Sequence, residues 1–156
     1  MITLPEEYLE FFKALNESGT QYLVVGGMAV VLYGVDRTTG DMDIWVDNSP
    51  ENLGSLKTAL LSMNYEEKDV EAAIAAYRSE GKLTIVLDER FPMELLPSYS
   101  SFIKFEDAFA QKLVTNFSGI PLNVVDLDTL IDMKIRAGRE KDWWDVKKLK
   151  EKRDQS

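Results

Sequence analysis

Histidine and cysteine are both absent from this 156-residue sequence, and the two absences together remove much of enzyme chemistry. Ser-His-Asp and Cys-His triads, zinc sites built on Cys or His, thiol redox chemistry and disulfides are all excluded. Any catalysis must run on carboxylates, Lys, Arg, Tyr, hydroxyls or backbone groups. Glycine and proline are sparse, nine and five, and scattered, which excludes collagen-like and low-complexity classes. No apolar run approaches the ~18 residues that a membrane span needs, and residues 1–10 lack the basic and apolar stretches of a secretory signal. A cytoplasmic protein with no membrane partner is the expectation.

Positive charge is also short. The 27 acids outnumber the 18 bases, and the resulting −9 argues against a broad nucleic-acid footprint. The imbalance is uneven, because residues 134–153 hold nine bases against four acids while the rest of the chain carries a net −14.

What is present is a globular composition, 45% hydrophobic and 29% charged, at the length of one domain. The pattern predicts a single unit over 1–156, a sheet-containing core over 1–126 with C-terminal helices over 127–156 packed on it. Pro5, Glu6 and Glu7 open a helix whose Tyr8, Phe11, Phe12 and Leu15 share a face up to Ser18-Gly19. Residues 21–25 read as a strand, 28–33 as a short buried helix and 41–46 as an alternating strand. Helices follow from Ser49-Pro50 and over 67–78, then two strands, 83–87 and 91–95, around the turn Asp88-Glu89-Arg90. Further strands are expected over 109–115 and 121–125. Asp126 or Asp128 caps a helix to Ala137, and Gly138 separates it from a last helix over 140–153. The class is therefore α/β (α+β), a mixed β-sheet flanked by helices with a C-terminal helical segment.

Asp41-Met42-Asp43-Ile44-Trp45-Val46 is the most informative stretch. Strand alternation sends Asp41 and Asp43 to one face and Met42, Ile44 and Val46 to the other. Two carboxylates ~7 Å apart along a strand repel each other unless a cation sits between them, and Mg²⁺ with its oxygen shell is the usual occupant. Gly26-Gly27 forms a tight turn between strand and helix, where backbone N–H groups attract phosphate. Its spacing is that of neither the Walker loop nor G-x-G-x-x-G. Glu94 is a lone acid among Phe91, Met93 and Leu95 and offers a third carboxylate; the competing reading is an exposed edge position, because Pro92 favours edge strands. Asp88 and Glu89 are its rivals. Arg37 either meets phosphate or pairs with Asp36, and Thr38 and Thr39 shape the turn or position a ligand hydroxyl. Lys134 shares a helical face with Leu127, Leu130 and Ile131, where it either contacts phosphates or pairs with Asp142 or Asp145. Trp143 falls in helical register with Val146 and Leu149 or Lys150 and is expected in the core. Trp144 stays open.

Val25-Gly26-Gly27, followed 14 residues after Gly27 by Asp41-Met42-Asp43 and then by a distal acid on a strand, resembles the polymerase-beta-type nucleotidyltransferase superfamily. More narrowly, Gly26-Gly27-Met28-Ala29, Tyr33-Gly34, Arg37-Thr38-Thr39-Gly40-Asp41-Met42-Asp43 and the late Lys134, Arg139, Lys141-Asp142 and Asp145 resemble the small AbiEii-like members found in abortive-infection and toxin-antitoxin loci. Glu94 departs from the Asp commoner there. The resemblance implies a nucleotidyltransferase fold and Mg²⁺ or Mn²⁺ bound by Asp41, Asp43 and Glu94, with Glu94 helping to activate the attacking hydroxyl. It also implies an NTP held by Gly26, Gly27, Arg37, Thr39 and Lys134, a hydroxyl acceptor on RNA, protein or a small molecule, and a cognate antitoxin as partner. The rivals are a nucleotide-binding module without turnover and a phosphohydrolase with water as acceptor.

Overall fold

The computed structural model describes residues 4–39, 41–88, 91–98 and 102–155. Its elements run α1 (Glu6–Ser18), β1 (Tyr22–Val25), α2 (Gly26–Leu32), β2 (Met42–Val46), α3 (Pro50–Ser62), α4 (Glu67–Glu80), β3 (Leu83–Asp88), β4 (Phe91–Leu96), α5 (Phe105–Ala110), β5 (Leu113–Phe117), β6 (Ile120–Val124), α6 (Leu127–Ala137) and α7 (Glu140–Asp154). The six strands form one mixed sheet in the order β3-β4-β2-β1-β6-β5. β1 pairs antiparallel with β2 and parallel with β6, β2 pairs parallel with β4, and the two outer pairs are antiparallel hairpins.

Helix boundaries follow local chemistry. Ser49 accepts a hydrogen bond from the Asn52 N–H to cap α3, Asp126 does the same for Thr129 at the start of α6, and left-handed Gly19, Gly81 and Gly138 end α1, α4 and α6. The apolar face of α1 is buried, with the Phe12 ring 5.6 Å from that of Tyr22 on β1. The inner face of the sheet is equally dry, since Met42, Ile44 and Val46 of β2 and Met93 and Leu95 of β4 are all buried. Tyr77 of α4 is buried and donates its hydroxyl hydrogen to the Val46 carbonyl at 2.9 Å, which seats α4 against the end of β2.

Four expectations need correction. The strand foreseen over 109–115 begins instead as α5, with β5 starting at Leu113. Phe105 and Phe109 lie at i and i+4 and stack at 5.4 Å, and Phe105 meets Trp45 edge-on at 5.2 Å, so packing on Trp45 overrides the strand preference of the phenylalanines. β4 is an interior strand, not an edge. Pro92 is tolerated there because the β3 register shifts between Ile85 and Asp88, while pairing with β2 begins one residue later at Met42 and Met93. Helix α2 starts at Gly26, two residues before the expected start, so the glycines form its first turn. Trp143 is 53% exposed; the buried face of α7 is Asp142, Asp145, Val146 and Leu149, turned away from Trp143 because the two aspartates have cationic partners inside.

Candidate active site

The register of three strands builds the site. Val25 pairs with Asp43 across β1 and β2, so the Gly26-Gly27 turn that continues β1 lies beside Asp41. Glu94 of β4 pairs in parallel with Asp43, which puts all three acids on the same face of the sheet. Carboxylate oxygens of Asp41, Asp43 and Glu94 lie within 4.8 Å of one another, with Asp41 exposed and the other two half-buried. The Oδ1 atom of Asp43 is buried with no hydrogen-bond partner. Burial first, then the negative charges of Asp41 and Glu94, push the Asp43 carboxyl up to about 6 against the opposing pull of Lys134 and Lys82. A divalent cation would offset the repulsion among the three carboxylates and give the unpaired oxygen a partner, and carboxylates are the hard oxygen donors that Mg²⁺ and Mn²⁺ take. The residues present fit such an ion.

The loop before β2 closes the adjacent wall. A Cβ on Gly27 would lie 2.8 Å from Thr39 Oγ1 and 3.3 Å from a terminal nitrogen of Arg37, so this close approach requires glycine. Gly26 holds φ at +65°, a second position where glycine is needed. Thr39 donates its hydroxyl hydrogen to the Asp41 carbonyl at 3.2 Å and so shapes the turn into β2. Gly27, Arg37 and Thr39 thus pack together, and Thr39 ties this group to the start of the strand that carries the acids.

Comparison with known proteins identifies the family and the fold. The model of a family described as nucleotidyl transferase of unknown function, DUF2204, matches residues 5–156. The chain belongs to that family. None of the curated proteins matches. Among solved structures, the chain is similar to the lincosamide antibiotic adenylyltransferase LnuA in its lincomycin-bound crystal structure. The identity is 15% and the TM-score 0.53, with 95% of this chain and 97% of that chain covered. The chain has the mixed sheet flanked by helices that the interleaved elements predicted and the nucleotidyltransferase fold that the resemblance implied.

Arg37 and Lys82 have partners that sequence reasoning did not assign. Arg37 pairs with Asp145 of α7 at 2.6 Å, 108 positions away, and not with its neighbour Asp36. Lys134 is buried, with its ammonium 3.0 Å from Asp145 and 3.4 Å from Asp142, and Arg139 in turn reaches Asp142 at 2.7 Å. The pairing alternative weighed for Lys134 is thus formed, although its charge is still felt at Asp43. Lys82, preceding β3, sits 3.0 Å from Glu94. Its place follows from hairpin register, which the shift between Ile85 and Asp88 conceals in the sequence. Of the alternatives to Glu94, Glu89 and the side chain of Asp88 lie outside the described residues, as does Gly40. No helix among the described residues is long and apolar enough to cross a membrane.

Proposed function

We propose that this protein transfers a nucleoside monophosphate from an NTP to an acceptor hydroxyl and releases pyrophosphate. The observation that carries the reading is the acid row, above all the buried, unpartnered Oδ1 of Asp43, in a chain of a nucleotidyl transferase family. Asp41, Asp43 and Glu94 would hold Mg²⁺ or Mn²⁺, which would supply positive charge to neutralise the phosphates. Gly26, Gly27, Arg37 and Thr39 border the row and orient the triphosphate, while Lys134 adds positive potential from behind Asp145. Glu94 receives the proton of the attacking hydroxyl. As that oxygen bonds to the α-phosphorus, the bond from phosphorus to the bridging oxygen breaks, and pyrophosphate leaves with the electron pair.

The LnuA structure holds lincomycin, so a small hydroxylated molecule is the acceptor class that a similar fold supports, beside RNA and protein hydroxyls. The narrower AbiEii-like reading, with a toxin role and a cognate antitoxin, rests on the motif resemblance alone, and the cytoplasmic setting on the sequence pattern alone. A second reading, nucleotide binding without turnover, draws on the ammonium of Lys82 already seated on Glu94. Thermal melting with Mg²⁺ and each NTP tests the site, since a ligand at 100 Kd adds ~2.7 kcal/mol. An Asp43→Asn variant that responds as fully as the parent would refute it. Pyrophosphate release separates transfer from mere binding, and orthophosphate release would indicate a hydrolase.

A further inference from the structure

The two edges of the sheet are finished differently. At the β3 edge the register shifts between Ile85 and Asp88 and the half-exposed Lys82 precedes the strand, two of the devices that keep an edge from pairing. At the β5 edge the ladder with β6 runs unbroken from Leu113 opposite Val124 to Phe117 opposite Ile120, and residues 113–125 hold no charged residue. No described strand pairs with the outer side of β5. Leu113 and Val114 are nonetheless 46% and 49% exposed, on opposite faces of the strand. Lys112, the nearest charge along the chain, lies 4.1 Å over the Phe109 ring of its own chain. The turn decides which backbone groups are open. Ser118 and Gly119 both have positive φ, +51° and +83°, and form a two-residue hairpin loop, so Phe117 and Ile120 close it as a hydrogen-bonded pair and the bonding alternates from there. Leu113, Thr115 and Phe117 therefore bond to β6, while Val114 and Asn116 turn their N–H and C=O groups outward. Their cross-strand partners agree: the Asn123 N–H donates to the Tyr22 hydroxyl at 3.4 Å and the Pro121 carbonyl accepts from Asn16 at 2.7 Å, both toward β1 and α1.

We infer that β5 is the seam of a homodimer, in which it pairs antiparallel with β5 of a second copy about a two-fold axis at Thr115. In that register the outward groups of Val114 exchange hydrogen bonds with those of Asn116 in the second copy, and the reverse, while Thr115 meets Thr115. Leu113, Thr115 and Phe117 share one face, so each exposed Leu113 is covered by the Phe117 of the second copy. Charge selects the occupant. A chain of net charge −9 repels its own copies, and a neutral edge is where two of them approach at least cost, whereas a partner of opposite charge is drawn to the acid-rich body. The strand order keeps β5 away from β4 and its Glu94, so both acid rows stay open in the dimer.

Sedimentation velocity of the full chain at micromolar concentration tests the seam. It should show a reversible species of twice the 17.7 kDa monomer, and the dimer should tighten as added salt screens the repulsion between copies. Asn116→Pro removes an outward N–H from each copy while sparing the bonds to β6, and should raise the dissociation constant at least about tenfold. Thr115→Lys sets two like charges opposite each other at the axis and should do the same. Val86→Lys, on the exposed face of the other edge strand, should leave the dimer intact. Hydrogen exchange on the parent needs no variant: the Val114 and Asn116 amides should exchange more slowly as protein concentration rises. A parent that is monomeric at every concentration, which would leave this edge to a different protein, overturns the seam. So does a dimer that weakens with salt, one that Val86→Lys dissociates, concentration-independent exchange at Val114 and Asn116, or a dimer that survives Asn116→Pro and Thr115→Lys in chains that melt as cooperatively as the parent.

Discussion

Two groups of acidic side chains meet near the same loop and are treated in opposite ways. Asp142 and Asp145 are fully buried and surrounded by cations, Lys134 and Arg139 on the first, Lys134 and Arg37 on the second. Burial alone would raise the Asp142 carboxyl, but hydrogen bonds from Arg139 and the charges of Lys134 and Arg139 hold it below its ordinary value. In the acid row, Asp43 keeps a buried oxygen without a partner, beside two further carboxylates, and its carboxyl is pushed up to about 6. The first group is complete within the chain; the second leaves a buried oxygen unpaired, as the proposed cation site requires. The paired group also joins α6 and α7 to the loop that packs on Gly27, so the complete network holds the frame of the incomplete one.

Breaking the complete group should have the larger effect on stability. Asp145→Ala leaves Arg37 without its carboxylate and Lys134 with only one of two, and loss of one member of a buried ion network costs about 3–5 kcal/mol. In a chain of this length that lowers Tm by roughly 10 °C. A loss under about 1 kcal/mol would show that the network is not closed in solution.

The acid row should respond in the opposite direction. Because the folded-state carboxyl of Asp43 is raised to about 6 from 3.8, its contribution to stability is present below the ordinary carboxyl range and is lost as pH rises through about 6. Without metal, Asp43→Asn should therefore stabilise the fold at pH 7.5 by about 1–2 kcal/mol after discounting for solvent screening, with little effect at pH 4, while abolishing transfer. For Asp142 the sign is reversed, since a lowered carboxyl contributes stability above its ordinary range that is lost as the pH falls through its lowered value. Melting curves of the metal-free parent and Asp43→Asn from pH 4 to 8 test this. A parental advantage at pH 7.5 would mean that Asp43 has a partner in the absence of metal.

The sequence displays the incomplete group far better than the complete one. Asp41 and Asp43 alternate along one strand and Glu94 stands alone in an apolar run, so strand periodicity exposes all three. Their alignment needed only the parallel pairing of β2 with β4. The paired group is non-local. Nothing near Arg37 announces Asp145, and on α7 the apolar pattern favours Trp143 for the core because a buried aspartate is improbable until its partners on α6 and in the 36–39 loop are known. Helix α5 was hidden for a similar reason, since only the presence of Trp45 makes a helical stripe of Phe105 and Phe109 better than a strand.

A smaller effect is expected where the two groups touch. Gly27→Ala puts a methyl 2.8 Å from Thr39 Oγ1 and 3.3 Å from Arg37, both side-chain atoms of the loop that carries the network to the glycine turn. The loop must shift, at a cost of about 1–2 kcal/mol. The melting shift produced by Mg²⁺ with NTP should also shrink. If stability falls while the ligand shift is intact, Gly27 serves packing only and the glycine turn does not meet the triphosphate.

The smallest expected effect concerns the side of α7 turned away from both groups. Trp143 is 53% and Trp144 44% exposed, so this helix presents its tryptophans to solvent and its aspartates to the interior, the reverse of the usual distribution. Truncation of a large core aromatic costs about 3–5 kcal/mol, whereas a surface substitution stays within about 0.5 kcal/mol. Trp143→Ser, which adds only the small difference in helix propensity, should therefore leave Tm within about 2 °C of the parent and leave pyrophosphate release unchanged. The same substitution becomes a measure of the buried network if α7 rotates to hide the tryptophan. That rotation would expose Asp142 and Asp145, separate them from Lys134 and Arg37, and register as a loss of several kcal/mol. A near-neutral Trp143→Ser beside a strongly destabilising Asp145→Ala is the pattern that only a helix with its charges inside can give.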